Sequence, residues 1–230
     1  MTPPRVWYRS ALICLLLFSG CAQWDTIGFK TTPAPYPAAD FAYVYNGRLQ
    51  LVSQSGVVTS TTVEAEQAQP AVSADGTTLL YTISVGEKSQ LMLLNLTTTA
   101  STALTPLASA PQQLLFSSDQ DLALVIVEQD LYLLFIPQQR LVRVHEGVQQ
   151  AMFSESNQRV EYQTTDGRLL SREFAADGSL ADALALADDP FTDLQLPERA
   201  GQITAGWSKH GLGVYSVDSA GHVTLIELTE

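Results

Sequence analysis

Cysteine is almost absent from this sequence, which has only Cys14 and Cys21. Cys14 lies in an apolar run near the N-terminus, so the rest of the chain offers no second cysteine for a disulfide or a thiolate metal site. Histidine is also rare, and His145, His210 and His222 include no pair at a spacing typical of zinc ligands. We therefore predict neither a structural disulfide nor a bound metal ion.

Positive charge is scarce as well. Lys and Arg total 12 residues against 24 Asp and Glu, which gives a formal net charge of −12 at pH 7. Proteins bind nucleic acids and anionic lipid headgroups through clusters of Lys and Arg, but the basic residues of this chain are scattered along the sequence. The composition therefore argues against a nucleic-acid-binding function. The acidic excess favours solubility, and attraction of a basic partner is the alternative interpretation.

The sequence also lacks the short motifs of common catalytic sites. It has neither a Gly-x-Ser-x-Gly nucleophile elbow nor a phosphate-binding Gly-Lys-Ser/Thr loop, so we predict no catalytic residue and no cofactor. One group of carboxylates is a weak candidate for a glycan-cleaving or calcium site: Asp182, Asp188, Asp189 and Asp193. Their spacing differs from that of a calcium loop, and a solvated acidic loop is the alternative interpretation.

The N-terminus combines a short positive segment with an apolar run. Arg5 and Arg9 are the only charged residues before Cys21, and residues 11–18 are all apolar. A membrane-spanning helix needs about 20 apolar residues, so this run is too short to cross a bilayer. A positive start, a short apolar core and small residues before a cleavage point are typical of a secretory signal.

The end of this signal, Phe18-Ser19-Gly20-Cys21, resembles the lipobox of bacterial lipoproteins, with Phe18 where the family usually has Leu. The resemblance implies cleavage between Gly20 and Cys21 and attachment of lipid to the Cys21 thiol. Because Ala22 rather than Asp follows the cysteine, it also implies an anchor in the outer membrane, on the periplasmic face. An ordinary signal peptide with an unmodified Cys21 is the alternative.

Three segments follow from this interpretation: a signal peptide at residues 1–20, a tether at 21–39 and a folded domain at 40–230. Removal of the signal takes away two positive charges, so the net charge changes from −12 to −14. The tether has three prolines between residues 33 and 37, and proline lacks the N–H that the interior of a helix or strand needs. We expect this tether to let the domain stand away from the membrane.

The folded domain consists of short apolar strands separated by turns, and the strands recur in the same order. Each repeat has a large apolar residue, a serine, a turn and a strand, at intervals of roughly 40 residues. The serines that mark the repeats are Ser73, Ser117, Ser154 and Ser208. Repeats of three or four antiparallel strands predict an all-β fold, a small β-propeller of about five blades. A β-sandwich is the alternative.

These repeats resemble the blades of TolB-type propellers, in which an apolar residue, Ser and Asp-Gly precede a strand. The segment Val72-Ser73-Ala74-Asp75-Gly76 matches this pattern, whereas the other copies lack Asp-Gly after the serine. The resemblance covers residues 40–230 and implies a periplasmic domain that binds a protein partner. Residues 175–200 widen the last interval, and we predict a loop or a decorated blade edge there.

The predicted function is that of a membrane-anchored periplasmic lipoprotein, which acts as a non-catalytic protein-binding or scaffold module of an envelope complex. Its partners are the membrane, through lipid on Cys21, and an unidentified envelope protein. One alternative is a carbohydrate-binding protein or glycan hydrolase with acids at the channel of the propeller. Another is a vestigial structural lipoprotein. An open ring with an exposed apolar edge would favour this alternative.

Overall fold

The structure is a computed structural model that describes residues 34–66, 70–154, 156–191, 202–207 and 213–227. The chain divides into two compact units, Met1–Ala34 and Pro35–Glu230. Only the second unit lies largely within the described residues, and it contains all of the strands described below.

The described residues form five antiparallel sheets from 18 strands, and none of them forms a helix long and apolar enough to cross a membrane. The sheets follow one another along the chain. The first contains β1 (Phe41–Tyr45), β2 (Arg48–Val52) and β3 (Val58–Glu64); the second β4 (Ala71–Val72), β5 (Thr78–Val85), β6 (Lys88–Asn95) and β7 (Ser101–Leu107); the third β8 (Gln113–Phe116), β9 (Leu122–Val127), β10 (Asp130–Phe135) and β11 (Arg140–His145); the fourth β12 (Val148–Phe153), β13 (Arg159–Thr164), β14 (Leu169–Glu173) and β15 (Leu184–Ala185); and the fifth β16 (Gln202–Trp207), β17 (Gly213–Asp218) and β18 (Val223–Glu227).

Each sheet is a meander in which every strand pairs antiparallel with the next one in the chain. The sheets remain open, because the described strands make no ladder from one sheet to another. Neighbouring sheets are joined mainly by side-chain packing, as blades are in a propeller, with single hydrogen bonds between them such as that from the Val148 N–H to the carbonyl oxygen of Gln129. The prediction of an all-β propeller with about five blades of three or four strands is confirmed.

The hydrophobic core lies between neighbouring sheets. In the central strand β9, Leu124 and Ile126 pack against the fourth sheet, while Ala123 and Val125 pack against the second. All four side chains are fully buried. Successive side chains of a strand point to opposite faces, so a strand covered on both faces needs an unbroken apolar run, which is the pattern of residues 122–127.

The first sheet lies beside both the second and the fifth. On β1, Ala42 and Val44 belong to the core shared with the second sheet, whereas Phe41 and Tyr43 pack with Tyr215 of the fifth. The rings of Phe41 and Tyr215 are stacked, with their centroids 5.1 Å apart. The first and last repeats of the chain are thus neighbours, which is what a ring of blades requires.

The outer strand of the fourth sheet comes from the segment predicted to be a loop or a decorated blade edge. Leu184–Ala185 forms β15 and pairs with Leu170 and Ser171 of β14. A bridge between Phe174 and Leu180 precedes it. The segment therefore contributes an edge strand of two residues, and the rest of its described length is irregular.

Three of the serines that mark the repeats, Ser73, Ser117 and Ser154, lie at the turn between the first two strands of a sheet and hydrogen-bond within it. Ser208 lies outside the described residues. In the second sheet, the Ser73 hydroxyl donates to Asp75 Oδ1 over 2.7 Å and accepts the Thr78 N–H over 2.9 Å. Asp75 also accepts the Thr77 N–H and hydroxyl at 2.9 and 2.8 Å. Desolvation alone raises the pKa of the exposed Asp75, but these hydrogen bonds outweigh it and hold the pKa well below its ordinary value of 3.8.

We expect Asp75→Asn to lower the urea midpoint of unfolding at pH 7. The gap in midpoint between the variant and wild type is expected to narrow as the pH falls from about 5 to about 3. The pKa of Asp75 is lower in the folded state than in the unfolded chain. Its stabilising contribution is therefore complete above about pH 4 and is lost as the pH falls further. Urea titrations at pH 7, 5 and 3 measure the gap, with Asp182→Asn as the control at an exposed site. A gap that is constant with pH would contradict the expectation.

Candidate functional site

The residues proposed from the sequence to carry lipid lie outside the described part of the chain. Gly20 and Cys21 are both in residues 1–33, and the lipid anchor stays a prediction. Asp193, one member of the acidic group, also lies outside the described residues.

The other acidic candidates, Asp182, Asp188 and Asp189, are exposed on either side of β15. One oxygen of Asp189 accepts the Phe191 N–H over 2.8 Å, which fixes the local turn. The described residues contain no group of three or more His, Cys, Asp or Glu that could hold a metal ion. Within that part of the chain, these three carboxylates lie on an exposed segment.

A groove that the sequence did not predict opens between the third and fourth sheets. It has a volume of about 400 Å³ and is lined by Arg143, Val144, His145, Glu146 and Arg172. The first four of these residues end β11 and begin the connection to β12, whereas the last belongs to β14. The groove therefore follows the junction between the outermost strand of the third sheet and the third strand of the fourth.

Two arginines cross this junction in opposite directions. Arg172 of the fourth sheet donates from Nη1 to the carbonyl oxygen of Val144 in the third, and from Nε to that of Ala181 over 2.7 Å. Arg140 of the third sheet donates from Nη2 to the carbonyl oxygen of Asp177 over 2.7 Å. These bonds to backbone oxygens hold both guanidinium groups in place without neutralising them.

Arg143 lies at the edge of the groove between two carboxylates. Its Nη2 is 3.0 Å from Asp130 Oδ2 and 2.5 Å from Glu146 Oε1. The side chain of Glu146 is 73% exposed and that of Asp130 is 26% exposed. Hydrogen bonding to Asp130 and the charges of both carboxylates raise the pKa of Arg143 above its ordinary value, although partial desolvation opposes them. Arg143 is therefore a permanent positive charge at this edge.

His145 connects the groove to the core below it. Its ring lies 5.1 Å from the ring of Tyr162, at an angle of 44°. Tyr162 is fully buried in the core between the third and fourth sheets, and its hydroxyl has no hydrogen-bond partner among the described residues. Burial raises the pKa of Tyr162, while the charges of Arg172 and Arg168 act in the opposite direction. Packed side chains thus support this side of the groove.

Charge is distributed unevenly around this site. Residues 140–172 contain five arginines and four acidic residues, a formal charge of +1, whereas the rest of the chain carries −13. In the sequence these arginines are separated by 3 to 16 residues and look scattered. The fold brings Arg143 and Arg172 to one groove, and Arg140 bonds across the same junction, whereas Arg159 and Arg168 pair with Glu161 and Asp166. The signal that could have indicated the site is an arginine on the third or fourth strand of each of two successive repeats, as at Arg172 and Arg143.

Comparison with known proteins identifies the fold. TolB from Acinetobacter baumannii is similar over 84% of this chain and 54% of its own, with 15% identity and a TM-score of 0.50. The tricorn protease is similar over 80% of this chain and 18% of its own, with 11% identity and a TM-score of 0.50. The chain spans about half the length of the TolB structure. No protein-family model and no curated protein matches the sequence.

Proposed function

We propose that the protein is a non-catalytic binding module of the bacterial envelope, held on the periplasmic face of the outer membrane by lipid on Cys21. A protein partner binds to its folded domain. The observation that carries this proposal is the groove between the third and fourth sheets, which presents guanidinium groups on a framework of packed strands.

The rigidity of that framework supports a binding role. The 12 buried residues of the core beneath the groove come from both sheets and include Val144, which also lines the groove. Binding to a preformed surface avoids the entropic cost of ordering it. The similarity to TolB concerns the fold, and it is compatible with a propeller that works by binding.

The N-terminal sequence supports the anchored part of the proposal. Arg5, Arg9, the apolar run at residues 11–18 and Ser19-Gly20-Cys21 together resemble a lipoprotein signal. Lipid on a single thiol explains why an exported chain retains one cysteine. Removal of the signal leaves a strongly acidic protein that anionic headgroups repel, so the lipid has to supply the membrane affinity.

The proposal predicts that Cys21→Ser moves the protein from the membrane fraction to the soluble periplasmic fraction and abolishes its labelling by a palmitate analogue. Cys14→Ser, in the apolar part of the signal, is the matched control and is expected to behave as wild type. Mild crosslinking in intact cells, followed by detergent extraction and affinity purification, is expected to recover the same envelope protein in stoichiometric amount from wild type and Cys14→Ser. Membrane association that survives Cys21→Ser would contradict the anchor, and the absence of any such protein would contradict the binding role.

A further inference from the structure

We propose that the groove between the third and fourth sheets binds a carboxylate-rich segment of the protein partner, with Arg143 and Arg172 as the two anchors. This inference rests on the proposed function and specifies the chemistry of its partner. The groove consists of the five lining residues given above, and its positive groups come from strands of two different sheets.

Arg172 has hydrogen-bonding capacity that its described contacts leave unused. A guanidinium has five N–H donors, and the carbonyl oxygens of Val144 and Ala181 engage two of them. None of the ion pairs among the described residues includes Arg172. The side chain is therefore fixed in orientation and still positively charged, which suits a two-point contact with a carboxylate.

Arg143 already holds a carboxylate from its own chain at the edge of the groove. The carboxylate belongs to Glu146, which is 73% exposed and three residues further along the chain. An exposed ion pair of this kind contributes little free energy, so a carboxylate of a partner can take the place of Glu146 at small cost. Asp130 remains on the other side of Arg143 at 3.0 Å and fixes its direction.

The distribution of charge favours an acidic peptide over a lipid surface or a free anion. Residues 140–172 carry a formal +1 and the rest of the chain −13, so the net charge of the chain opposes contact with a broad anionic surface. A narrow peptide in the groove meets Asp130 and Glu146 beside Arg143, whereas negative charges more than about 8 Å away are largely screened at physiological salt.

The test measures binding of fluorescein-labelled hexaglutamate to the purified, detergent-solubilised full chain by fluorescence anisotropy, with hexaglutamine as the neutral probe. We expect Arg143→Gln and Arg172→Gln each to weaken binding of hexaglutamate by about tenfold or more, because each removes a charged donor. Arg48→Gln makes the same change of charge on the first sheet and is expected to leave binding unchanged. Glu146→Gln removes the competing carboxylate and is expected to strengthen binding severalfold, a gain that misfolding cannot produce.

Several outcomes would overturn the groove as the binding site. One is an equal loss of affinity for hexaglutamate in Arg48→Gln and Arg172→Gln. The others are weaker binding of hexaglutamate by Glu146→Gln, or binding of inorganic phosphate or phosphatidylglycerol vesicles in place of hexaglutamate. If hexaglutamate fails to bind but the crosslinked envelope protein is still recovered from the Arg143→Gln/Arg172→Gln double variant, the groove is excluded and the proposed function stands. If hexaglutamate binds through both arginines but no envelope protein is recovered, the proposed function fails, while the groove is still established as a binding site for a carboxylate-rich peptide.

Discussion

Replacement of Tyr215 by Phe is expected to lower the free energy of unfolding by about 2 kcal/mol, whereas the same replacement at Tyr162 is expected to leave it unchanged or raise it. Both tyrosines are fully buried between sheets, and both replacements remove a single oxygen atom. The two sites differ in the partner of that oxygen, so together they isolate the contribution of one buried hydrogen bond.

The hydroxyl of Tyr215 donates to Asp40 Oδ2 over 2.8 Å, and both residues are buried. Asp40 directly precedes the first strand of the first sheet, and Tyr215 lies in the fifth, 175 residues further along the chain. A hydrogen bond to a charged group contributes about 1.5–3 kcal/mol, and its loss leaves the buried carboxylate without this donor. Burial and the nearby Asp40 raise the pKa of Tyr215, so the phenol stays protonated and continues to donate at neutral pH.

The hydroxyl of Tyr162 is buried without a hydrogen-bond partner among the described residues. A buried polar group in that state has lost its hydrogen bonds to water and gained none in exchange, at a cost of about 1–3 kcal/mol. Phe removes the oxygen and keeps the ring that packs against His145. The variant therefore loses no hydrogen bond and avoids part of this cost.

Urea unfolding of both variants at pH 7, followed by tryptophan fluorescence and by far-UV circular dichroism, measures the difference. Agreement between the two probes checks that unfolding is two-state, so that the change in midpoint can be converted to free energy. Equal effects of the two replacements would mean that the bond from Tyr215 to Asp40 adds nothing to the packing of the first sheet on the fifth. A large loss in Tyr162→Phe would mean that this hydroxyl has a partner in solution.

The sequence was sufficient to predict the class and the repeat of the fold, because both depend on local patterns. The dipeptide Asn46-Gly47 forms the turn of the first hairpin, with φ values of 51° and 73°, the region that these residues tolerate best. The apolar run at residues 122–127 forms a strand covered on both faces. Such signals are contained within about ten residues, so they can be interpreted without knowledge of the partners across the sheet.

Features that depend on packing between sheets could not be predicted in the same way. The strand at Leu184–Ala185 is two residues long and exposed, so it has no apolar alternation to mark it. The contact of Asp40 with Tyr215 joins the two ends of the described domain, and the groove joins Arg143 with Arg172 across a sheet boundary. In each case the residues become neighbours only after the blades have packed.

The groove also changes how the acidic composition is interpreted. A net charge of −12 suggests at most a basic partner when it is treated as an average over the chain. Local charge is different at the junction of the third and fourth sheets, because Arg143 and Arg172 line one groove there and Arg140 bonds across the same junction. The negative remainder repels extended anionic surfaces, and the proposal above assigns the attraction of an acidic segment to the arginines of the groove.

The packing between the third and fourth sheets predicts a second large effect: Leu124→Ala is expected to lower the free energy of unfolding by about 2–5 kcal/mol. Leu124 is fully buried at the centre of β9 and belongs to the core shared by these two sheets. Truncation removes apolar contacts and leaves a cavity that strands held on both faces cannot close. Leu184→Ala is the matched control, because Leu184 on the edge strand is 63% exposed.

The control is expected to change stability by less than about 0.5 kcal/mol, as is usual for an exposed site. Urea midpoints of the two variants, measured with the slope of the transition held in common, give the comparison. Val144 lines the groove and lies in the same core as Leu124, so the measurement also reports on the foundation of the proposed binding site. If Leu124→Ala proved as mild as Leu184→Ala, the third and fourth sheets would not share a close-packed interface, and a groove with fixed arginines could not be built on it.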